Sequence, residues 1–161
     1  MTASLRPFYG NFEVSIDDKN RILIPSEIRK VIEPSEDGEA YFGVTGINRK
    51  LWLYPEKRYE RYALTLQSEL APESDALEFD QLSFAMASRL EPDKQGRVLL
   101  PEKLIRKAGL GKEVTVVGMR DHVEVWNRAD WDAQEEELDR RRAEIAMRAK
   151  QKQAQSAPER L

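Results

Sequence analysis

Two stretches of the chain spell the same short pattern. Residues 17–25 read DDKNRILIP, and residues 93–101 read DKQGRVLLP. At an offset of 76, Asp17 falls on Asp93, Arg21 on Arg97 and Pro25 on Pro101, while Ile22, Leu23 and Ile24 fall on Val98, Leu99 and Leu100. Each copy runs on into an apolar helical stretch, Ile28, Val31 and Ile32 in one, Leu104, Ile105 and Ala108 in the other. At an offset of 72 the likeness resumes: YFGVTG (41–46) lies over EVTVVG (113–118), and LWLYPEKRY (51–59) over VEVWNRADW (123–131). The change of offset falls at 33–39, a polar stretch with Pro34 and Gly38 that reads as a loop. Self-similarity of this kind restricts the chain to folds built from two copies of one small unit.

Each unit reads as strand, turn, strand, short helix, strand, turn, strand. Phe12, Val14 and Ile16 alternate with polar residues, as do Phe42/Val44, Leu51/Leu53, Val114/Val116 and Val123/Val125. Ile22–Ile24 and Val98–Leu100 are short apolar runs ended by Pro, which also suits the first turn of a following helix. Gly46-Ile-Asn-Arg and Gly118-Met-Arg-Asp read as turns, and Gly109 and Gly111 bracket a helix exit. A unit with four minimal strands and one short helix is too small to bury a full core. Two copies interleaved around a pseudo-two-fold axis would bury one. Residues 56–71 and 76–88 read as helices joining the halves, with Tyr59, Tyr62, Leu66 and Leu70 on one face and Pro72 as a stop. Residues 127–152 read as a further helical region, acidic and then basic, before a frayed end at 154–161. The expected organisation is a first repeat over 7–55, a helical acidic connector over 56–86, a second repeat over 87–130, and a helix and tail over 131–161.

Composition narrows the chemistry. The 161 residues contain no cysteine and one histidine, His122, so thiol catalysis, disulfides and Cys/His metal cages have nothing to work with. No apolar run approaches the ~20 residues of a membrane helix, and MTASLRPFYG lacks the apolar core of a secretory signal. The net charge is −3, but residues 67–88 hold five acids and no base; the remainder carries 26 basic and 24 acidic residues. The acidity sits in the connector, and local charge governs binding because screening acts over ~8 Å at physiological salt.

Taken singly, Asp-x-x-x-Arg reads as a turn that the Asp caps and the Arg pairs with. Its repetition, with Lys19 and Lys94 adjacent, points to arginines placed at loop tips to meet phosphate or fork onto guanine. Arg29, Lys30, Arg106 and Lys107 read first as favourable charge at helix C-termini and second as flanking phosphate contacts. His122 reads as a solvated or turn-bonded residue. Trp52, Trp126 and Trp131 read as core or subunit-interface anchors. No Gly-rich phosphate loop and no nucleophile elbow occur, and Asp17/Asp18 sit beside cations. No catalytic residue, metal, cofactor, membrane or small-molecule substrate is expected.

FYGNFEVSIDDKNRILIP (8–25), LWLYP (51–55), PDKQGRVLLPEKLIRKAGL (92–110), KEVTVVG (112–118) and VEVWNRADW (123–131) together resemble the MraZ family, bacterial transcription regulators built from two tandem SpoVT/AbrB-type domains. The resemblance covers roughly residues 7–140. It implies a mainly β fold with short helices (α+β), a swapped-hairpin double-split β-barrel of two pseudo-symmetric repeats. It implies a ring-forming homo-oligomer, cytoplasmic and nucleoid-associated, and a repressor that binds direct repeats of double-stranded DNA at the promoter of the division and cell-wall gene cluster. The DNA-binding residues expected are Lys19, Asn20, Arg21, Lys94, Gln95 and Arg97, with Asp17 and Asp93 orienting the loops. Asn20 stands where the family usually has Gly, and Asn also tolerates positive φ. Tyr9 stands where Arg is common. Two other readings compete: a ring scaffold without DNA binding, and a small carboxylate-dependent enzyme, which would need two facing acids in a concave cleft.

Overall fold

The computed structural model describes residues 6–66 and 74–156. They divide into two units, Met1–Arg128 and Ala129–Leu161. In the first, β1 (Asn11–Ser15) and β2 (Arg21–Leu23) precede α1 (Ser26–Arg29), α2 (Pro34–Asp37), β3 (Tyr41–Thr45) and β4 (Leu51–Pro55). The connector holds α3 (Glu56–Thr65) and α4 (Ser74–Asp80), the latter continued by a wider π-type turn at Gln81–Ala85. Then come β5 (Ser88–Leu90), β6 (Arg97–Leu99), α5 (Glu102–Ala108), β7 (Glu113–Gly118) and β8 (Val123–Asn127). The class is α+β, as the pattern predicts.

The repeats interleave. Six antiparallel strands lie in the order β1-β7-β8-β4-β3-β5, and β2 and β6 form a separate antiparallel ribbon. The first strand of each repeat thus pairs with a hairpin of the other, β1 on β7 and β5 on β3. Pseudo-symmetry is visible in the register. In the ribbon Arg21 faces Leu99 and Leu23 faces Arg97, pairs that exchange under the offset of 76, with Ile22 opposite Val98 at the centre. In the sheet Leu51 faces Val125 and Leu53 faces Val123, which exchange under 72, with Trp52 opposite Glu124 at the centre. Ile22, Ile24, Leu51, Leu53, Val98, Leu100, Val114, Val116, Val123 and Val125 form one shared core and are almost fully buried.

Several details differ from the sequence pattern. Thr45 pairs with Leu51 and Gly118 with Val123, so β3 maps onto β7 at an offset of 73 rather than 72. Gly118 therefore ends a strand instead of opening a turn; the second hairpin turn is one residue shorter and is closed by Met119 N–H donating to the His122 carbonyl at 2.9 Å. Part of the expected loop at 33–39 is helical, because Pro34 presets the first turn of α2 and Gly38 follows it at φ +79°. Ser88 lies in β5 rather than at a helix end, captured by pairing with Gly43. α3 stops at Thr65, with Leu66 extended; Leu70 and Pro72 lie outside the described residues. Gly109 is the left-handed cap of α5, whereas the Gly111 N–H donates to Asn127 Oδ1.

Two buried polar clusters brace the first unit. Arg58, 3% exposed, donates to Asp37 Oδ1 at 2.9 Å and to the Arg6 and Arg120 carbonyls at 2.8 and 3.3 Å, with its guanidinium 4.3 Å from the Phe8 ring centre. One cation thereby joins α2, α3, the N-terminal segment and the β7–β8 turn. The second cluster sits at the β4–β8 seam. His122 is buried, not solvated, and is bonded within its turn: Nδ1 lies 2.7 Å from Asp121 Oδ1 and Nε2 3.2 Å from Glu124 Oε2. Its ring stacks on Trp52 at 4.3 Å and on Tyr54 at 4.8 Å between centroids. Buried Glu124 also accepts from Asn48 Nδ2 and Trp126 Nε1. Burial disfavours the imidazolium, but its bonds to Asp121 and Glu124 outweigh that and raise its pKa above 6.5. Burial likewise works against ionised Glu124, and the bonds from His122, Asn48 and Trp126 outweigh it, lowering the pKa.

α6 (Arg128–Arg140) opens at the last residue of the first unit; in the second unit it and α7 (Arg142–Ser156) carry Arg140–Glu137, Arg142–Asp139 and Arg148–Glu144 ion pairs, each at 2.6 Å. Arg141 also lies within 4 Å of Glu137 and Glu144, so four bases of the segment 140–152 are paired along the helix surface. No described helix is long and apolar enough to cross a membrane.

Asp37→Ala should cost about 3–5 kcal/mol in denaturant unfolding, because it leaves the Arg58 charge buried without its partner; a loss under ~1 kcal/mol, the range of an exposed pair, would show the cation to be solvated. The His122 cluster gives a pH signature. A raised folded-state pKa means its contribution is complete below 6.5 and is lost as pH rises through the folded value. His122→Gln should flatten the fall of thermal midpoint as pH rises above 6.5; an unchanged slope would assign that fall to other groups.

Candidate nucleic-acid interface

The β1–β2 and β5–β6 connections are built alike. Asp17 Oδ1 accepts the Lys19 and Arg21 backbone N–H groups at 2.9 Å each, and Oδ2 accepts Arg21 Nε at 2.8 Å. Asp93 Oδ1 accepts the Gln95 and Arg97 N–H groups at 2.9 Å each, and Oδ2 accepts Arg97 Nε at 2.8 Å. Asn20 N–H and Gly96 N–H close the turns on the Asp17 and Asp93 carbonyls, at 3.0 Å each. The backbone N–H of Arg21, ahead of every other influence, holds the Asp17 carboxyl below its usual range, and that of Arg97 does the same for Asp93. Capping and ion pairing therefore occur in the same carboxylate. They fix the guanidinium through Nε and leave its two terminal nitrogens for a partner.

Each loop is also tied to the other repeat. The Leu100 N–H donates to the Asn20 carbonyl at 2.8 Å, and the Ile24 N–H to the Gly96 carbonyl at 3.2 Å. Asn20 and Gly96 both take positive φ, 62° and 83°. Asn20 thus keeps the turn that glycine makes in the other copy. A Cβ at position 96 would lie 2.9 Å from the Arg29 side chain, which reaches across from α1 after donating Nε to the Ile24 carbonyl. The residue corresponding to Arg29 in the second repeat is Ile105. Arg29 closes the last turn of α1, as its helix-end reading expects, and its guanidinium in addition donates to the Ile24 carbonyl ahead of that helix.

The expected contact residues gather at the ribbon. Arg21 and Arg97 stand at its opposite ends, with side chains 30% and 31% exposed. Lys19, Lys94 and Gln95 are exposed, and Asn20 is half-buried. The central pair Ile22 and Val98 points into the core, so the outer face presents Arg21 and Leu99 side by side, then Leu23 and Arg97. Leu23 and Leu99 are 43% and 60% exposed. The sequence pattern missed both, since an unbroken apolar triplet hides which of its members points outward. Trp52 and Trp126 lie in β4 and β8, away from the ribbon pairing.

The family model described as "MraZ protein, putative antitoxin-like" matches residues 8–80 and again 83–153. The chain belongs to the MraZ family. Curated members similar to it include three proteins called "Transcriptional regulator MraZ". The one from Thermomicrobium roseum is 38% identical over 141 residues, 88% of this chain and 96% of that protein. That from Symbiobacterium thermophilum is 34% identical over 85% of this chain and 96% of its own length. That from Acetivibrio thermocellus is 34% identical over 78% and 85%. The family model falls on the chain twice, in agreement with the repeat.

Arg97→Ala should leave the loop folded, because Asp93 keeps its two backbone bonds, while Asp93→Ala should loosen the loop itself. Amide exchange at Gln95 and Arg97 separates the cases: accelerated exchange in Arg97→Ala would make the ion pair, not the cap, the element that holds the turn.

Proposed function

We propose that this MraZ-family chain is a sequence-specific DNA-binding transcription regulator, a repressor acting at the promoter of the division and cell-wall gene cluster. The observation that carries the reading is the pair of matching Asp-x-x-x-Arg loops at the two ends of one exposed two-stranded ribbon. The major groove admits a two-stranded β-ribbon, and arginine forks onto guanine there. Arg21 and Arg97 read bases, Lys19 and Lys94 hold phosphates, and the amides of Asn20 and Gln95 lie at the loop tips. Asp17 and Asp93 hold the arginines in place, so binding does not have to order them. The relatives' name supports regulation of transcription as the role. The protein works in the cytoplasm, on the nucleoid.

One ribbon is a modest footprint. Neutralising about four phosphates gives a log–log salt slope near −3.6. Several copies held in a ring would engage neighbouring sites at high effective concentration. Such an operator consists of direct repeats about one helical turn apart.

A gel-shift titration of the protein on the duplex upstream of its own gene, against scrambled duplex, tests this reading. Specific binding should weaken by roughly 1–3 kcal/mol in Arg97→Ala and in Arg21→Ala. Inserting about five base pairs between two repeats turns one to the far side of the helix and should abolish most of the avidity. Affinity indifferent to that insertion would refute the multivalent mechanism. A ring with no preference for the upstream duplex would make the chain a scaffold.

A further inference from the structure

The outer face of the ribbon has a feature that arginine readout leaves unexplained. Four residues form a two-by-two checkerboard, with Arg21 beside Leu99 and Leu23 beside Arg97. The leucines are 43% and 60% exposed, although the neighbouring residues of each strand, Ile22, Ile24, Val98 and Leu100, are at most 1% exposed. A single exposed leucine is ordinary. Here two occupy equivalent positions of the two repeats, on a face whose other two members are fixed cations. The strand alternation requires residues 23 and 99 to point outward. It does not require them to be apolar, and threonine or a longer polar residue would suit a solvated ribbon equally well.

Water is a poor partner for this face and an acidic protein surface would satisfy only its arginines. The major-groove edge of DNA offers both kinds of group. Guanine presents acceptors to a guanidinium, and the C5-methyl of thymine is the one apolar group displayed there. We propose that Leu23 and Leu99 are specificity-determining residues that pack against thymine methyl groups, so the ribbon selects guanine and thymine at adjacent positions in each half of its site. The inference rests on the DNA-binding reading above. Because the checkerboard is two-fold related, each arginine lies across the strand pair from the leucine of the other repeat. One half-site is therefore read by residues of both repeats.

The test removes a single methyl group from the DNA. A duplex recovered from a random-sequence pool by the unmodified protein is remade with deoxyuridine in place of thymidine, which deletes the methyl and keeps the pairing. Each contacted methyl should be worth about fourfold in affinity, from ~0.8 kcal/mol per buried carbon. Leu23→Ala and Leu99→Ala should each bind the thymidine duplex more weakly and lose part of the thymidine-to-deoxyuridine difference, and the double variant should bind both duplexes equally. Their thermal midpoints should match the parent, since neither side chain is buried. The measurement on the unmodified protein needs no variant at all. Equal binding of the two duplexes by the unmodified protein would overturn the proposal, as would a difference that persists in the double variant. A pool that yields no preferred duplex overturns the DNA-binding reading itself, and this inference with it.

Discussion

Neither repeat can complete its sheet without the other. β1 finds its partner in β7 and β5 finds its partner in β3, while β2 and β6 form their ladder with each other. Three-residue strands such as β2 and β6 have no independent stability; they exist because Ile22 and Val98 are pressed into a core that both repeats line. The same interleaving holds the loops. The carbonyl at the apex of each loop, Asn20 or Gly96, accepts a hydrogen bond from the strand end of the opposite copy. The two candidate readers are therefore fixed relative to each other by backbone bonds and a dry core, not by a flexible linker.

Within that frame each aspartate holds an arginine in place. An arginine at a loop tip has many rotamers to lose on binding. Asp17 and Asp93 each spend one oxygen on two backbone N–H groups and the other on Nε, which orients the guanidinium in the free protein and leaves it charged and forked outward. The buried polar clusters follow different logic. Arg58 and His122 face inward, carry partners on every side, and brace the shared body on which the ribbon sits.

Pseudo-symmetry is broken where the two copies meet. Trp52 stands opposite Glu124 at the sheet centre, and His122 stacks on the aromatic and bonds to the acid. At the loops, Gly96 lies beneath Arg29, whereas Ile105 takes the place of Arg29 in the second repeat's sequence. One fold thus presents two loops of the same backbone and different surroundings.

The sequence by itself determined the repeat, the paired Asp-x-x-x-Arg loops, the proline at the entrance of α1 and α5 and the glycine cap of α5. These are local matters, set by φ preferences and by groups within a few residues of one another. Tertiary structure alone decided the rest. The exposure of Leu23 and Leu99, the capture of Ser88 into β5, the one-residue difference between the hairpins and the reach of Arg29 over Gly96 all depend on residues distant in the chain. A strand's pattern says which residues alternate, but only its partner decides which face is covered. In an apolar run such as Ile22–Leu23–Ile24, or Val98–Leu99–Leu100, the alternation itself is invisible until β2 and β6 pair.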